Sequence, residues 1–140
     1  AIGLAQLAKL DYILNKQREN KKALKQGIKD IAGIEFKELP DPCGDAGDTL
    51  IFFVNSREKA SMFAKKLAAK GIGTKNLPDA INWHYAGTWN HIFGKKDLEK
   101  VWQKSTDYLR RSIALPIMVN MPQERIDHII KSIKEISKEV

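Results

Sequence analysis

Residues 1 to about 31 predict one long helix, and this helix restricts the possible folds more than any other feature. The middle of its apolar face is polar, because Gln17 and Lys21 stand there within NKQRENKK. A helix along one core needs no such gap, whereas a helix that joins two packing environments does. At 1.5 Å per residue it extends about 45 Å, so residues 1–31 predict an inter-domain helix. The apolar positions, at three-four spacing, are Leu7, Leu10, Leu14, Leu24, Ile28 and Ile31.

Three segments of the sequence predict strands. Residues 34–39 alternate apolar and charged side chains, residues 49–54 form a buried run, and residues 72–77 form a short extended run. Between the first two, residues 41–48 (DPCGDAGD) are rich in turn formers and predict a hairpin loop. The Asp residues of this loop invite a calcium interpretation, but no Glu closes the loop at the required position.

The remaining periodic segments predict helices packed on that sheet. Asn55 or Ser56 caps a helix that Gly71 stops, and Pro122 opens the last helix. A helix is also predicted from about Lys96 to Arg111. Its predicted inward residues are Leu98, Val101, Trp102, Ser105 and Leu109. The fold class is therefore α+β, an α/β sandwich with a small, mainly antiparallel sheet of about three strands.

Composition excludes several classes of protein. The single cysteine, Cys43, rules out an intrachain disulfide, and no apolar run approaches the roughly 18 residues of a membrane span. No signal-peptide pattern is present, so we expect a cytoplasmic protein. The net charge of +7, from 24 basic and 17 acidic residues, allows a nucleic-acid-binding module. These charges mostly lie between apolar helix positions, however, which favours solvated helix faces and no nucleic-acid partner.

One segment concentrates aromatic and imidazole side chains. Its candidate substrate-binding residues are Asn76, Trp83, His84, Tyr85, Trp89 and His91. The rings either fill the seam between sheet and helices or form a pocket wall, where they would stack on sugars or flat cofactors. No other zinc ligand accompanies the two histidines, so no metal site is predicted. No phosphate loop or nucleophile motif occurs, so no catalytic residue is assigned.

Three segments resemble one enzyme family in the same order. They are AIGLAQLAKLDYILNKQRENKKAL, KKLAAKGIGT and IALPIMVNMPQERIDHIIKSIKEI. Together they resemble the C-terminal part of the DegT/DnrJ/EryC1/StrS aminotransferases, pyridoxal-phosphate sugar aminotransferases of fold type I. Many members carry a His-aromatic pair at the position where this sequence has Asn76, Leu77 and Pro78. The role of that family histidine is therefore not transferred to this chain. The Trp/His-rich segment that follows is similar to the branch that aminates octulosonate (Kdo-type) sugars.

The resemblance implies that residues 1–140 are a small C-terminal domain. A larger N-terminal domain would carry the Schiff-base lysine and most of the pyridoxal-phosphate pocket, so no cofactor-binding residue is assigned here and the fragment alone is expected to be inactive. The full enzyme, a homodimer, would transfer an amino group from glutamate to a keto-sugar or nucleotide-sugar in cell-surface polysaccharide or amino-sugar biosynthesis. Residues 76–91 would face the sugar. The alternative hypothesis is a stand-alone small-molecule-binding or regulatory domain. A third hypothesis is a basic nucleic-acid-binding module.

Overall fold

The computed structural model describes residues 2–75, 77–78, 81–94 and 97–140, with only the backbone of residues 82 and 83. A three-stranded antiparallel sheet carries helices packed against one of its faces. The predicted α+β class, with about three mainly antiparallel strands, is therefore confirmed.

The helices range from single turns to nineteen residues. In chain order among the described residues they are α1 (Ile2–Leu7), α2 (Leu10–Ile28), α3 (Arg57–Ala69), α4 (Ile81–His84), α5 (Asn90–Phe93), α6 (Leu98–Val101), α7 (Gln103–Arg111) and α8 (Gln123–Glu139), with a 3-10 turn at Ala86–Thr88. Within the described ranges, none of them has the length and hydropathy needed to cross a bilayer.

The sheet contains β1 (Glu35–Phe36), β2 (Thr49–Phe53) and β3 (Ser112–Pro116), in that spatial order. Both pairings are antiparallel. β2 confirms the predicted buried strand to within one residue, and the loop that joins it to β1 confirms the predicted hairpin. The predicted strand over residues 34–39 is shorter than expected, because only two of its residues pair with β2.

The third strand of the sheet is β3, and the predicted strand over residues 72–77 is wrong. Lys75 N donates to Ala114 O at 2.7 Å, and Ala114 N donates to Leu77 O at 3.3 Å, so this segment follows the edge of β3. It is not a regular strand over its described residues. Pro78 comes next and has no N–H with which to continue the ladder.

The predicted single helix over residues 1–31 is also wrong in detail. It is divided into α1 and α2 by a tighter turn, in which Lys9 N donates to Gln6 O at 3.0 Å. It ends at Ile28, after which Ile31 N donates to Ile28 O at 3.2 Å. α1 has no buried residue, so no packing within the described residues stabilises α1 and α2 as one continuous helix.

The predicted helix over residues 96–111 is broken at Trp102, whose φ of −113° and ψ of 44° lie outside the helical region. Lys96, its predicted start, lies outside the described residues. The break changes the inward face, because Leu98 is buried as predicted while Val101 is 63% exposed and Thr106 is buried instead. Ser105 is exposed as well, so its predicted inward position is wrong.

One hydrophobic core joins the sheet to α2, α3 and α8. Phe52 of β2 is fully buried, and its ring lies edge-to-face on Phe63 of α3 with the centroids 5.7 Å apart. Ser56 caps α3 as predicted, since its Oγ accepts from Lys59 N at 3.3 Å. The buried stripe of α8 consists of Ile126, Ile129, Ile133 and Ile136.

The polar middle of α2 is a docking surface for two loops, which we call the polar belt: Gln17, Arg18, Asn20 and Lys21. Arg18 donates to the backbone oxygens of Asp45 and Cys43, both at 2.7 Å. On the other side, Gln17 Nε2 donates to Ile117 O at 3.0 Å and Asn20 Nδ2 to Met118 O at 2.9 Å. The polar side chains in the middle of α2 therefore donate hydrogen bonds to loop carbonyls, which would otherwise lack a donor.

Candidate functional site

The predicted site residues other than Asn76 lie in the aromatic segment, which we define as residues 81–94. The imidazoles of His84 on α4 and His91 on α5 are exposed, while Tyr85 and Trp89 are half-buried. Asn76 and the side chain of Trp83 lie outside the described residues. The chain brings the four described candidates onto successive short turns, but their binding role stays a prediction.

Tyr85 is tied to the protein interior. Its hydroxyl hydrogen-bonds Thr106 Oγ1, and the Thr106 hydroxyl donates to Trp102 O at 3.0 Å. Because Thr106 has one hydroxyl proton, Tyr85 is the donor in the first of these bonds. A Cβ atom at buried Gly87 would lie 2.2 Å from the Tyr85 ring, so the ring packs directly against that backbone. Tyr85 therefore positions the aromatic segment on α7.

A second aromatic contact connects the far end of the segment to the break between α6 and α7. The rings of Phe93 and Trp102 meet edge-to-face with centroids 5.7 Å apart. Ile92 and Phe93 remain 59% and 42% exposed. Tyr85, Phe93 and Trp102 therefore pack against neighbouring elements, while the imidazoles of His84 and His91 are exposed to solvent. The predicted pocket wall stays a prediction.

Charged side chains cap α6 and link it to α7. Asp97 caps α6, accepting from Lys100 N at 3.3 Å, and the Lys100 side chain that also bonds this carboxylate lowers the pKa of Asp97. Glu99 of α6 pairs with Arg110 of α7 across the break in that region. Arg110 Nε is buried without a hydrogen-bond partner among the described residues.

Sequence reasoning missed a concave site outside the aromatic segment, which we call the hairpin groove. It is a cavity of about 340 Å³ bounded by Lys21 and Lys25 of α2, Phe36 of β1, Thr49 of β2 and Lys75. Some of the residues that form this groove come from the polar belt and others from the Asp-rich loop, which are far apart along the chain. No single stretch of sequence therefore indicates the groove. Within the described residues, no group of three or more His, Cys, Asp or Glu side chains is placed to hold a metal ion.

Comparison with known proteins identifies relatives of the chain. The model of the DegT/DnrJ/EryC1/StrS aminotransferase family matches residues 1–134. Solved structures with this fold include a Streptococcus pneumoniae protein described as a sugar aminotransferase, in its PMP form (19% identity, 98% of this chain, TM-score 0.79). Others are the aminotransferase TlmJ from Streptoalloteichus hindustanus (16%, 99%, 0.73) and Helicobacter pylori PseC, an aminotransferase involved in the biosynthesis of pseudoaminic acid (17%, 99%, 0.75).

The chain is short relative to these structures. It covers 34%, 35% and 36% of the three chains, respectively, so it spans about a third of their length. At these identities the likeness concerns the fold.

Proposed function

The chain belongs to the DegT/DnrJ/EryC1/StrS aminotransferase family, and on that premise we propose that it is the C-terminal small domain of a pyridoxal-phosphate sugar aminotransferase. The whole enzyme would transfer an amino group from glutamate to a keto-sugar or nucleotide-sugar in cell-surface polysaccharide or amino-sugar biosynthesis. It would act in the cytoplasm as a homodimer. The observation that carries the proposal is the family match over residues 1–134.

The apolar start of the chain supports a partner domain. Ile2, Leu4 and Leu7 are 81%, 75% and 63% exposed. Leu4 and Leu7, three residues apart, share a face of α1, and exposed apolar residues that adjoin in this way usually mark an interface. We therefore propose that α1 and the first half of α2 form the inter-domain part of the predicted long helix and pack against the larger cofactor domain.

The described residues do not by themselves fit a pyridoxal-phosphate site. None of the described lysines is buried, whereas a Schiff-base lysine is activated in a desolvated pocket. Lys21, whose side chain is only 13% exposed, is held by Asp45 with Nζ 2.6 Å from Oδ2. When bound, the cofactor supplies the electron sink for amino transfer. We assign its attachment to residues outside this chain and no step of that chemistry to these lysines.

The contribution we propose for this chain is binding and orientation of the sugar. The exposed imidazoles of His84 and His91 offer a donor and an acceptor each to sugar hydroxyls. The half-buried ring of Trp89, between them, offers an apolar face for stacking. The Tyr85–Thr106 bond holds the short turns that carry these groups against α7.

The proposal predicts where the cofactor binds. Mixed with pyridoxal phosphate, the 140-residue chain should show no visible absorbance of an internal Schiff base. A full-length protein that contains this chain and the cofactor domain should show it, and that absorbance should disappear on addition of glutamate. A Schiff base in the 140-residue chain, at one specific lysine, would contradict the assignment. A full-length protein without any Schiff base would instead favour the stand-alone binding domain.

The second prediction concerns the imidazoles. In the full-length enzyme, His84→Ala with His91→Ala should lower kcat/KM for the keto-sugar by about 10- to 100-fold, because each lost hydrogen bond to a charged or polar partner contributes about 1–2 kcal/mol. Both side chains are exposed, so the melting temperature should not change. Steady-state kinetics with the donor half-reaction measured separately checks this prediction.

His128→Ala is the matched control. His128 lies on α8, where its Nε2 is 3.0 Å from Lys70 O, outside the aromatic segment. We expect this variant to keep the wild-type kcat/KM. If the double variant aminates the sugar as fast as wild type, the imidazoles have no part in substrate binding.

A further inference from the structure

The hairpin groove has more positive than negative charge. It contains Lys21, Lys25, Lys37 and Lys75 but only Asp45 and Asp48. Both carboxylates are already paired, Asp45 with Lys21 at 2.6 Å and Asp48 with Lys75. Lys25 and Lys37 have no carboxylate within salt-bridge distance among the described residues. The groove therefore offers two uncompensated ammonium groups.

Both aspartates of the groove are held by neighbouring basic side chains. Asp45 is held from both ends, because Lys21 bonds its side chain and Arg18 donates to its backbone oxygen at 2.7 Å. The hydrogen bond from Lys75 lowers the pKa of Asp48 below its usual value. Lys21 and Lys75 are therefore engaged with these carboxylates, which leaves Lys25 and Lys37 as the ammonium groups available to a ligand.

The rest of the groove lining suits the uncharged part of an organic anion. Phe36, Leu39 and Leu77 supply apolar surface, whereas the hydroxyl of Thr49 is already hydrogen-bonded to Asp48. The Lys25 ammonium lies 5.1 Å from the centroid of the Phe36 ring, so a charged and an aromatic contact are adjacent. The volume of about 340 Å³ lies at the lower end of the range of small-molecule sites, roughly 300–1,000 Å³.

We propose that the hairpin groove binds a small organic anion, with a phosphate or carboxylate group held by Lys25 and Lys37 and its body resting on Phe36. Lysine ammonium groups bind either anion as point charges. The site does not depend on the proposed transaminase function, since it uses only residues of the described chain.

Calorimetry on the 140-residue chain tests the proposal. Inorganic pyrophosphate and malonate are titrated separately at constant ionic strength, so that general screening does not change. We expect saturable binding of at least one anion with one site per chain. Pyrophosphate alone would indicate a phosphate ligand, and malonate alone a carboxylate ligand. Absence of saturable binding of either anion would overturn the proposal.

Variants locate the site. Lys25→Gln with Lys37→Gln should weaken binding at least about tenfold, since both charge-assisted contacts are lost. Lys104→Gln with Lys131→Gln removes the same charge from exposed positions on α7 and α8 and should bind as wild type. Equal weakening in both pairs would mean non-specific attraction and overturn the assignment. Lys25→Arg with Lys37→Arg should retain binding, which separates loss of charge from loss of fold.

Discussion

Replacement of Phe52 by alanine is expected to lower the free energy of unfolding by about 3–5 kcal/mol. Phe52 is fully buried between β1, β3 and α3, and its ring contacts Phe63 edge-to-face. The substitution removes that contact and leaves a cavity at the centre of the sheet. A domain of this size is stabilised by only about 5–15 kcal/mol, so a large fraction would be lost. Urea unfolding followed by circular dichroism measures the shift in midpoint.

Met62→Ala is the control for this prediction. Met62 lies on α3 next to Phe63 but is 45% exposed, so its truncation should change the free energy of unfolding by about 0.5 kcal/mol or less. A cost below about 1 kcal/mol for Phe52→Ala would show that the core is not centred on this ring.

Replacement of Gly47 by alanine is expected to lower the free energy of unfolding by about 2–4 kcal/mol, through two effects that add. Gly47 has a φ of +79°, which costs a residue with a Cβ about 1–2 kcal/mol. The new Cβ would also lie 2.8 Å from Arg18 N and 3.0 Å from Gln17 C, so it meets backbone of α2 that has no freedom to rotate away. The hairpin loop would be pushed off the polar belt.

Gly73→Ala is the matched control, because nothing lies within 4 Å of a Cβ there and no left-handed φ is required. Unfolding in urea should leave this variant within about 0.5 kcal/mol of wild type. For Gly47→Ala, amide exchange should also accelerate in residues 43–48, where Arg18 holds the loop. Equal stability of the two variants would refute close packing of the loop on α2.

Local sequence patterns predicted those helices and strands that depend on residues close together in the sequence. β2, the cap of α3 and the start of α8 follow from a buried apolar run, from capping chemistry and from Pro122, each within a few residues. Patterns of this kind do not say which distant strand completes a sheet. The third strand was therefore predicted at residues 72–77 and not at β3.

The candidate site was predicted from the local amino-acid composition of one segment and not from the spatial arrangement of its side chains. A cluster of Trp, His and Tyr marked the aromatic segment, but the inward bond from Tyr85 to Thr106 spans 21 residues and has no signature in the sequence. The hairpin groove was missed for the same reason. Its charges come from α2, from the loop before β2 and from Lys75, and only the fold brings them together.

The polar belt has a consequence for the order in which the chain acquires its structure during synthesis. The carbonyls that Gln17 and Asn20 bind belong to residues 117–119, about a hundred positions later. A ribosome adding residues from the N-terminus therefore makes α2 long before these acceptors exist. Until then Gln17 and Asn20 are hydrated, and of the belt contacts only those of Arg18 and Lys21 with residues 43–45 are able to form. Closing so long a loop is slow, so completion of α2 is coupled to the last fifth of the chain.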